Sequence, residues 1–342
     1  MNSNSEVFDP AYLNLDIIRS RHAELAGSII HTPLTLLSSP IVAKRLASDQ
    51  IYLKLECYQH TGTFKARGAL SVARAIPEKD QTKGVTAASA GNHAIAAAWA
   101  ARQLGMSAKV VMQTTANPFR VAMAKGQGAE IIMKEGGIAA IGEAERLSYD
   151  EERTFIHPFE GLNTTLGAAG VGLEIIDALP NLEAVVVSVG GGGLISGVAA
   201  GIKLVNPNCR VYGVEPEGAD SVSQSLAAGQ PITLDKVDTI ADSLGPPFSS
   251  PYGLSVIRHF VDDVITITDD QMLAGLVVFQ EEGKLAVEPA AGAAIAAALG
   301  PLRERLQGKK TAVLVCGANI DAETYTTLHK RGQPHVAALM IN

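Results

Sequence analysis

The chain has 342 residues, enough for two domains of ordinary size, and at 47% hydrophobic and 18% charged it can bury a large core. A net charge of −7 with no long basic run excludes a broad nucleic-acid or anionic-membrane surface. Cys57, Cys209 and Cys316 stand singly, a usage expected of the reducing cytoplasm rather than of a disulfide framework or a zinc site.

The N-terminal MNSNSEVFDP has neither a basic start nor an apolar core, so no secretory signal is expected. Strands are predicted at 51–55, 84–88, 109–112, 130–133, 184–189, 210–214, 264–267 and 312–315, and helical patterns between them include 93–105 and 194–205. The uncharged stretches 84–101 and 184–202 are broken by glycine and polar residues, so each reads as strand, tight loop and helix rather than a membrane span. Apolar strands alternating with helices predict an α/β fold of parallel sheets covered on both faces. The number of strands predicts two such domains sharing a cleft, although composition alone draws no boundary.

Four features fall at predicted strand ends, where open α/β sheets place ligands. GTFKARGA (62–69) puts Lys65 in a short glycine-bounded segment; the ordinary reading is an exposed lysine on a helix. SVGGGGLISG (188–197) runs a strand through four glycines into a helix, which offers backbone N–H groups and a helix N-terminus to a phosphate. Gly190, Gly192 and the acid Glu215 also fit the start of a dinucleotide fingerprint, but Ser196 stands where its third glycine belongs. ASAGNH (88–93) is a small-residue turn in which Ser89 and Asn92 form a second anion-friendly corner. His93 reads either as a general base or as a histidine packed at the helix start. Cys316, in VLVCGANID (313–321), is either a strand-end nucleophile or a buried structural thiol. A desolvated lysine beside a phosphate site points to a Schiff base with pyridoxal phosphate.

GTFKARGA, SAGNH, GGGGL, VEPEGA, AVEPAAGA and CGAN occur in the order found in fold-type II pyridoxal-phosphate enzymes, and the chain resembles their threonine/serine dehydratase and serine racemase group from Ile29 to the CGANID turn. The resemblance implies the tryptophan synthase β-like architecture, with 1–83 and 157–342 forming a large cofactor domain and 84–156 a small domain that closes over the cleft. It implies that Lys65 holds the cofactor and takes the Cα proton, and that Phe64 packs on the ring. Asn92 would bind the ring hydroxyl, Gly190, Gly191, Gly192, Gly193 and Leu194 the phosphate, and Cys316 would face the pyridine nitrogen. Ser89, Ala90, Asn92 and His93 would hold the substrate carboxylate. Glu288 would lie near the ring, or would only accompany the start of the helix that Pro289 opens. Arg67 would support the Lys65 turn through an acid, or decorate a helix surface.

Three departures shape the expected activity. Cys316 replaces the serine of many relatives; a neutral partner leaves the ring nitrogen unprotonated, which suits elimination better than transamination. Ala90 stands where serine racemases carry the serine that protonates the opposite face of Cα; Ser89 beside it is the catalytic substitute on offer, although its expected job is the carboxylate. Glu215 and Ala219 match the first members of a cation site, but Ser221 replaces its second acid, which weakens a divalent ion or favours a monovalent one. The expectation is a cytoplasmic ammonia-lyase that converts a β-hydroxy-α-amino acid such as threonine or serine to a 2-oxo acid and ammonia. A serine-type racemase is the alternative, and an NAD(P)-dependent oxidoreductase a distant one. Partners are expected to be a small amino acid and further copies of the chain, as a homodimer or larger. With about 26 residues after Cys316, no appended regulatory domain is expected. Loops 157–165 and 241–253 are expected to wall the side-chain pocket, Ser243 and Pro246-Pro247-Phe248 being their idiosyncratic positions.

Overall fold

The computed structural model describes residues 7–341; the first six residues, part of the stretch on which the expectation of no secretory signal rests, lie outside it. Among the described residues ten strands form two sheets. β1 (Leu34–Leu36), β2 (Ile51–Lys54), β7 (Ala184–Ser188), β8 (Arg210–Pro216), β9 (Asp263–Ile267) and β10 (Thr311–Leu314) make a six-stranded sheet ordered β1-β2-β10-β7-β8-β9. β3 (Val85–Ala88), β4 (Ala108–Gln113), β5 (Glu130–Lys134) and β6 (Thr154–Phe155) make a four-stranded sheet ordered β5-β4-β3-β6. Every pairing is parallel except β1 with β2, which is antiparallel and lies at the edge of the larger sheet.

The central strands are apolar on both faces because helices cover both. Val185, Val186 and Val187 in β7, and Val313 and Leu314 in β10, are fully buried. The helix Pro289–Leu299 is buried along its whole length and packs on β7, β8 and β10. Its composition of alanine and glycine lets a helix enclosed on all sides approach the sheet closely. The neighbouring helices Leu162–Ala178 and Gly193–Lys203 also meet at glycines: a Cβ on Gly201 would lie 2.5 Å from the Ala169 carbonyl oxygen. Among the described residues no helix is long and apolar enough to cross a membrane, so the two uncharged stretches resolve into β3 and β7, each followed by its turn and helix.

A buried charge cluster lies under the helix Lys65–Arg74. Arg67 is fully buried and forms paired hydrogen bonds with two carboxylates: Nε and Nη2 donate to Glu56 at 2.8 and 2.9 Å, Nη1 and Nη2 to Glu174 at 2.7 and 2.9 Å. Lys54 Nζ donates to the same Glu174 at 2.5 Å and to the Thr32 carbonyl at 2.7 Å. Two cations balance two anions, which is the condition for keeping such charges inside. Arg67 is therefore a buried support of the Lys65 helix, not surface decoration.

Candidate active site

Lys65 opens its helix because the turn before it is stitched to the end of β10. Phe64 N donates to the Cys316 carbonyl at 3.2 Å, Ala318 N donates to the Gly62 carbonyl at 3.1 Å, and Thr63 and Gly317 form an antiparallel bridge. The Lys65 amine thus enters the cavity beside Cys316, with the Phe64 ring 5.0 Å from Nζ. Nζ donates to the Pro158 carbonyl at 2.5 Å. Burial lowers its pKa to about 8, against opposing pulls from Cys316 and Glu288.

The cavity has a volume of about 450 Å³, and Phe64, Lys65, Ser89, Ala90, Asn92, His93, Gly190–Leu194, Glu288 and Cys316 all line it. The structure therefore brings together every residue expected of the cofactor and substrate sites. Glu215, Ala219 and Ser221 are buried elsewhere and do not line it.

Among the described residues, the N–H groups of Gly190, Gly191, Gly192, Gly193 and Leu194 make no hydrogen bond. Gly192 has φ +88°, which turns β7 into the helix Gly193–Lys203, and a Cβ on Gly191 would overlap the Phe159 ring. The glycines are thus required twice, by conformation and by close packing, and they leave a row of free donors at a helix N-terminus. A phosphate fits this cradle. At the cavity's other anion corner the N–H groups of Ala90, Asn92 and His93 are also without partners among the described residues, while Ser89 Oγ accepts from Gly91 N at 3.1 Å.

Several side chains have partners that sequence alone did not reveal. Asn92 Nδ2 donates to both oxygens of Glu288 at 2.9 Å, and Asn92 Oδ1 accepts from Asn319 Nδ2 at 2.8 Å. A ring hydroxyl would compete with Glu288 for that amide. Glu288 precedes the helix Pro289–Leu299 without capping it by its side chain; burial raises its pKa to about 7, with Arg120 and Asn92 pulling the other way. His93 Nε2 lies 2.7 Å from the Ile156 carbonyl, and burial lowers the ring's pKa to about 3. It is a neutral, packed histidine rather than a poised base. Burial raises the Cys316 thiol well above its ordinary value, so it faces the cavity as a neutral group.

Arg120 is the largest omission from the sequence reading. It lies on the helix Pro118–Gly126, next to the smaller sheet, yet its side chain donates to Asn319 O at 3.2 Å, to Asp242 and to Glu288 at 3.4 Å. Nothing in ANPFRVAM distinguishes this arginine from a solvated one; only the long-range pairing does. Asn319 lies within the CGANID motif and could have been singled out there.

Glu215, on the dinucleotide reading a ribose ligand, is spent within its own loop. Its Oε1 accepts from Val222 N at 2.9 Å and its Oε2 from Ser223 N at 2.8 Å and Ser223 Oγ at 2.6 Å, at the start of the helix Ser221–Ala228. Burial raises its pKa to about 7, opposed by those hydrogen bonds. The buried Ser221 hydroxyl has no partner among the described residues.

A sheet-end cavity with a desolvated lysine at one corner and a free-amide cradle at another is the site of a cofactor-dependent α/β enzyme. The family model for "Pyridoxal-phosphate dependent enzyme" matches residues 25–317, and the chain belongs to that family. It is 44% identical over 275 residues, 80% of this chain and 84% of the relative, to a phenylserine dehydratase of Ralstonia pickettii. It is 36% identical over 320 residues to a serine racemase of Oryza sativa subsp. indica, covering 92% of this chain and 93% of the relative. The solved structure of maize serine racemase superposes with a TM-score of 0.87 at 33% identity, over 95% of this chain and 99% of that one.

Proposed function

We propose that this chain is a pyridoxal-phosphate-dependent ammonia-lyase that removes water from a β-hydroxy-α-amino acid and releases a 2-oxo acid and ammonia. The observation that carries the reading is the pairing of Lys65 with the unpartnered N–H row Gly190–Leu194 in one cavity. The relatives' names divide between dehydratase and racemase and differ in substrate, so names alone do not choose.

The residues present fit the cofactor. Lys65 would hold its aldehyde carbon, Gly190, Gly191, Gly192, Gly193 and Leu194 its phosphate, Phe64 and Asn92 its ring and ring hydroxyl, and Cys316 its nitrogen, with Glu288 close by. When bound, pyridoxal phosphate delocalises the electron pair left at Cα when a proton departs. The N–H groups of Ala90, Asn92 and His93, with Ser89, hold the substrate carboxylate and so orient Cα–H towards Lys65. Lys65 Nζ would be the base that takes the Cα proton; its lowered pKa keeps more of it neutral near pH 8 than an exposed lysine would be. The electron pair forms Cα=Cβ, and the β-hydroxyl leaves as water with a proton that the Lys65 ammonium gives back. The released enamine becomes an imine, which water hydrolyses.

Racemisation would need an acid opposite Lys65. Ala90 supplies none, and that favours elimination over the racemase reading. We further propose that 84–156 moves as a small domain against 1–83 and 157–342. Glu215, Ala219 and the partnerless hydroxyl of Ser221 are proposed to take a monovalent or weakly held divalent cation. Three buried free cysteines support a cytoplasmic location, and a homodimer or larger assembly rests on family membership alone.

The test is 2-oxo acid and ammonia release from both enantiomers of a panel of β-hydroxy-α-amino acids, with chiral analysis of the remaining substrate. Release of both products supports elimination. Inversion without release would establish the racemase instead.

A further inference from the structure

The elimination reading leaves open what the β-carbon carries, and the cavity wall bears on that. Four rings line the cavity in an unbroken series. Phe155 meets His157 edge-on at 5.8 Å between centroids, His157 meets Phe159 edge-on at 4.6 Å, and Phe159 meets Phe248 at 5.6 Å. Ile141, from the helix Gly137–Asp150, adds an apolar side chain to the same cavity, and Pro247 precedes Phe248 on the facing loop. Phe155, His157, Phe248 and Ile141 are half-buried, so apolar surface remains to be covered.

His157 belongs to this wall as a neutral ring. Its Nδ1 accepts from Phe159 N at 3.3 Å and Glu160 N at 2.9 Å, which places the remaining proton on Nε2 and fixes the ring plane.

The charged groups argue against a second carboxylate on the substrate. Lys65 is committed to the chemistry. Arg120, the other cation lining the cavity among the described residues, already faces Asp242, Glu288 and the Asn319 carbonyl. Glu145 and Asp242 also line the cavity, so an acidic β-substituent would meet carboxylates rather than a free cation. A hydrogen or methyl at Cβ would leave the ring series uncovered. An aromatic group would cover it, and aromatic rings meeting edge-on or offset gain beyond the area they bury.

We propose, resting on the elimination reading, that the substrate is a β-hydroxy-α-amino acid whose β-carbon bears an aromatic ring, with Ile141, Phe155, His157 and Phe248 as the specificity-determining wall. For 3-phenylserine the Cα–H and Cβ–O bonds break, the Cα=Cβ bond forms and water leaves. Tautomerisation and hydrolysis, which consumes one water, give phenylpyruvate and ammonia, with no net oxidation.

The test uses the cofactor-loaded enzyme in two ways. The first is kcat/KM for 3-phenylserine, threonine, serine and 3-hydroxyaspartate. The second is calorimetric affinity for phenylalanine against alanine, neither of which carries a β-leaving group. The expected result is a preference of at least about tenfold for the aryl member in both measurements. Both preferences are expected to shrink at least about fivefold in Phe248→Ala and in Ile141→Arg, substitutions at half-buried loop and helix positions. A higher kcat/KM for threonine, serine or 3-hydroxyaspartate overturns the proposal, as do preferences that survive both substitutions. If no panel member releases a 2-oxo acid, the elimination reading is wrong. The ring wall is then decided by calorimetry alone, and equal affinities for phenylalanine and alanine overturn it.

Discussion

Lys65 occupies a position where burial, not a neighbouring cation, sets its basicity. Its amine is lowered to about 8 from 10.5, so uptake of pyridoxal phosphate by cofactor-free protein should quicken with pH up to about 8 and then level off. Absorbance-detected mixing experiments check this, and a rate still rising towards pH 10 would contradict it. His93 and His157 are displaced in the same sense, to about 3 and about 4, because burial disfavours the imidazolium. Their 15N resonances should show neutral rings from pH 8 down to 5.5, and titration of either near 6.5 would refute the assignment. At this scale the sequence was informative where a residue type is costly outside one role. Four glycines in a row have few other uses, whereas Lys65, on its own an ordinary exposed lysine, was marked out only by the glycine-rich and Asn motifs that accompany it. Arg120 and Asp242 were not legible, since a surface arginine and a loop aspartate are ordinary until the fold brings them together.

Among the elements, the helix Lys65–Arg74 depends on Arg67, Glu56, Glu174 and Lys54, charges made tolerable only by one another. Removing one leaves its partner buried without compensation, so Glu174→Gln should cost about 3–5 kcal/mol, measured as a shift in the denaturant midpoint. A loss below about 1 kcal/mol would mean that water reaches the cluster. In the phosphate loop, Gly191→Ala would drive a methyl into the Phe159 ring. Overpacking of this kind costs about 1–3 kcal/mol, and cofactor affinity measured by equilibrium dialysis should fall by about tenfold or more. The eight strands read from apolar runs are all present, with ends displaced by a residue or two. β1 and β6 went unread for a physical reason: three and two residues are too short to show a period, and β1 lies between prolines in HTPLTLLSSP. The antiparallel β1–β2 pairing likewise leaves no mark on composition.

For the whole molecule, two buried carboxylates impose a pH dependence on stability. Glu215 and Glu288 have pKa values raised from 4.5 to about 7. The folded state therefore binds more protons than the unfolded state between those values. The stability they contribute is complete below pH 4.5 and lost as pH rises through 7. Glu215→Gln, which cannot ionise, should gain on the parent in melting temperature between pH 5 and 8, by up to about 3 kcal/mol of stability in the absence of added cation. A constant difference across that range would show that the Glu215 carboxylate is ionised throughout. The α/β class and parallel sheets were legible because buried parallel strands must be apolar on both faces. The joining of the two sheets at one cavity was not, because the contacts that achieve it, Arg120 to Asp242 and Asn92 to Glu288, span 122 and 196 residues.

On the proposed function, Lys65 and the Gly190–Leu194 row hold one cofactor in one cavity. Borohydride reduction of the cofactor-loaded protein followed by peptide mass spectrometry tests it most directly. The pyridoxyl phosphate mass is expected on Lys65 alone, and its loss together with 2-oxo acid release in Lys65→Ala. The label on another lysine, or turnover that persists in Lys65→Ala, would contradict it.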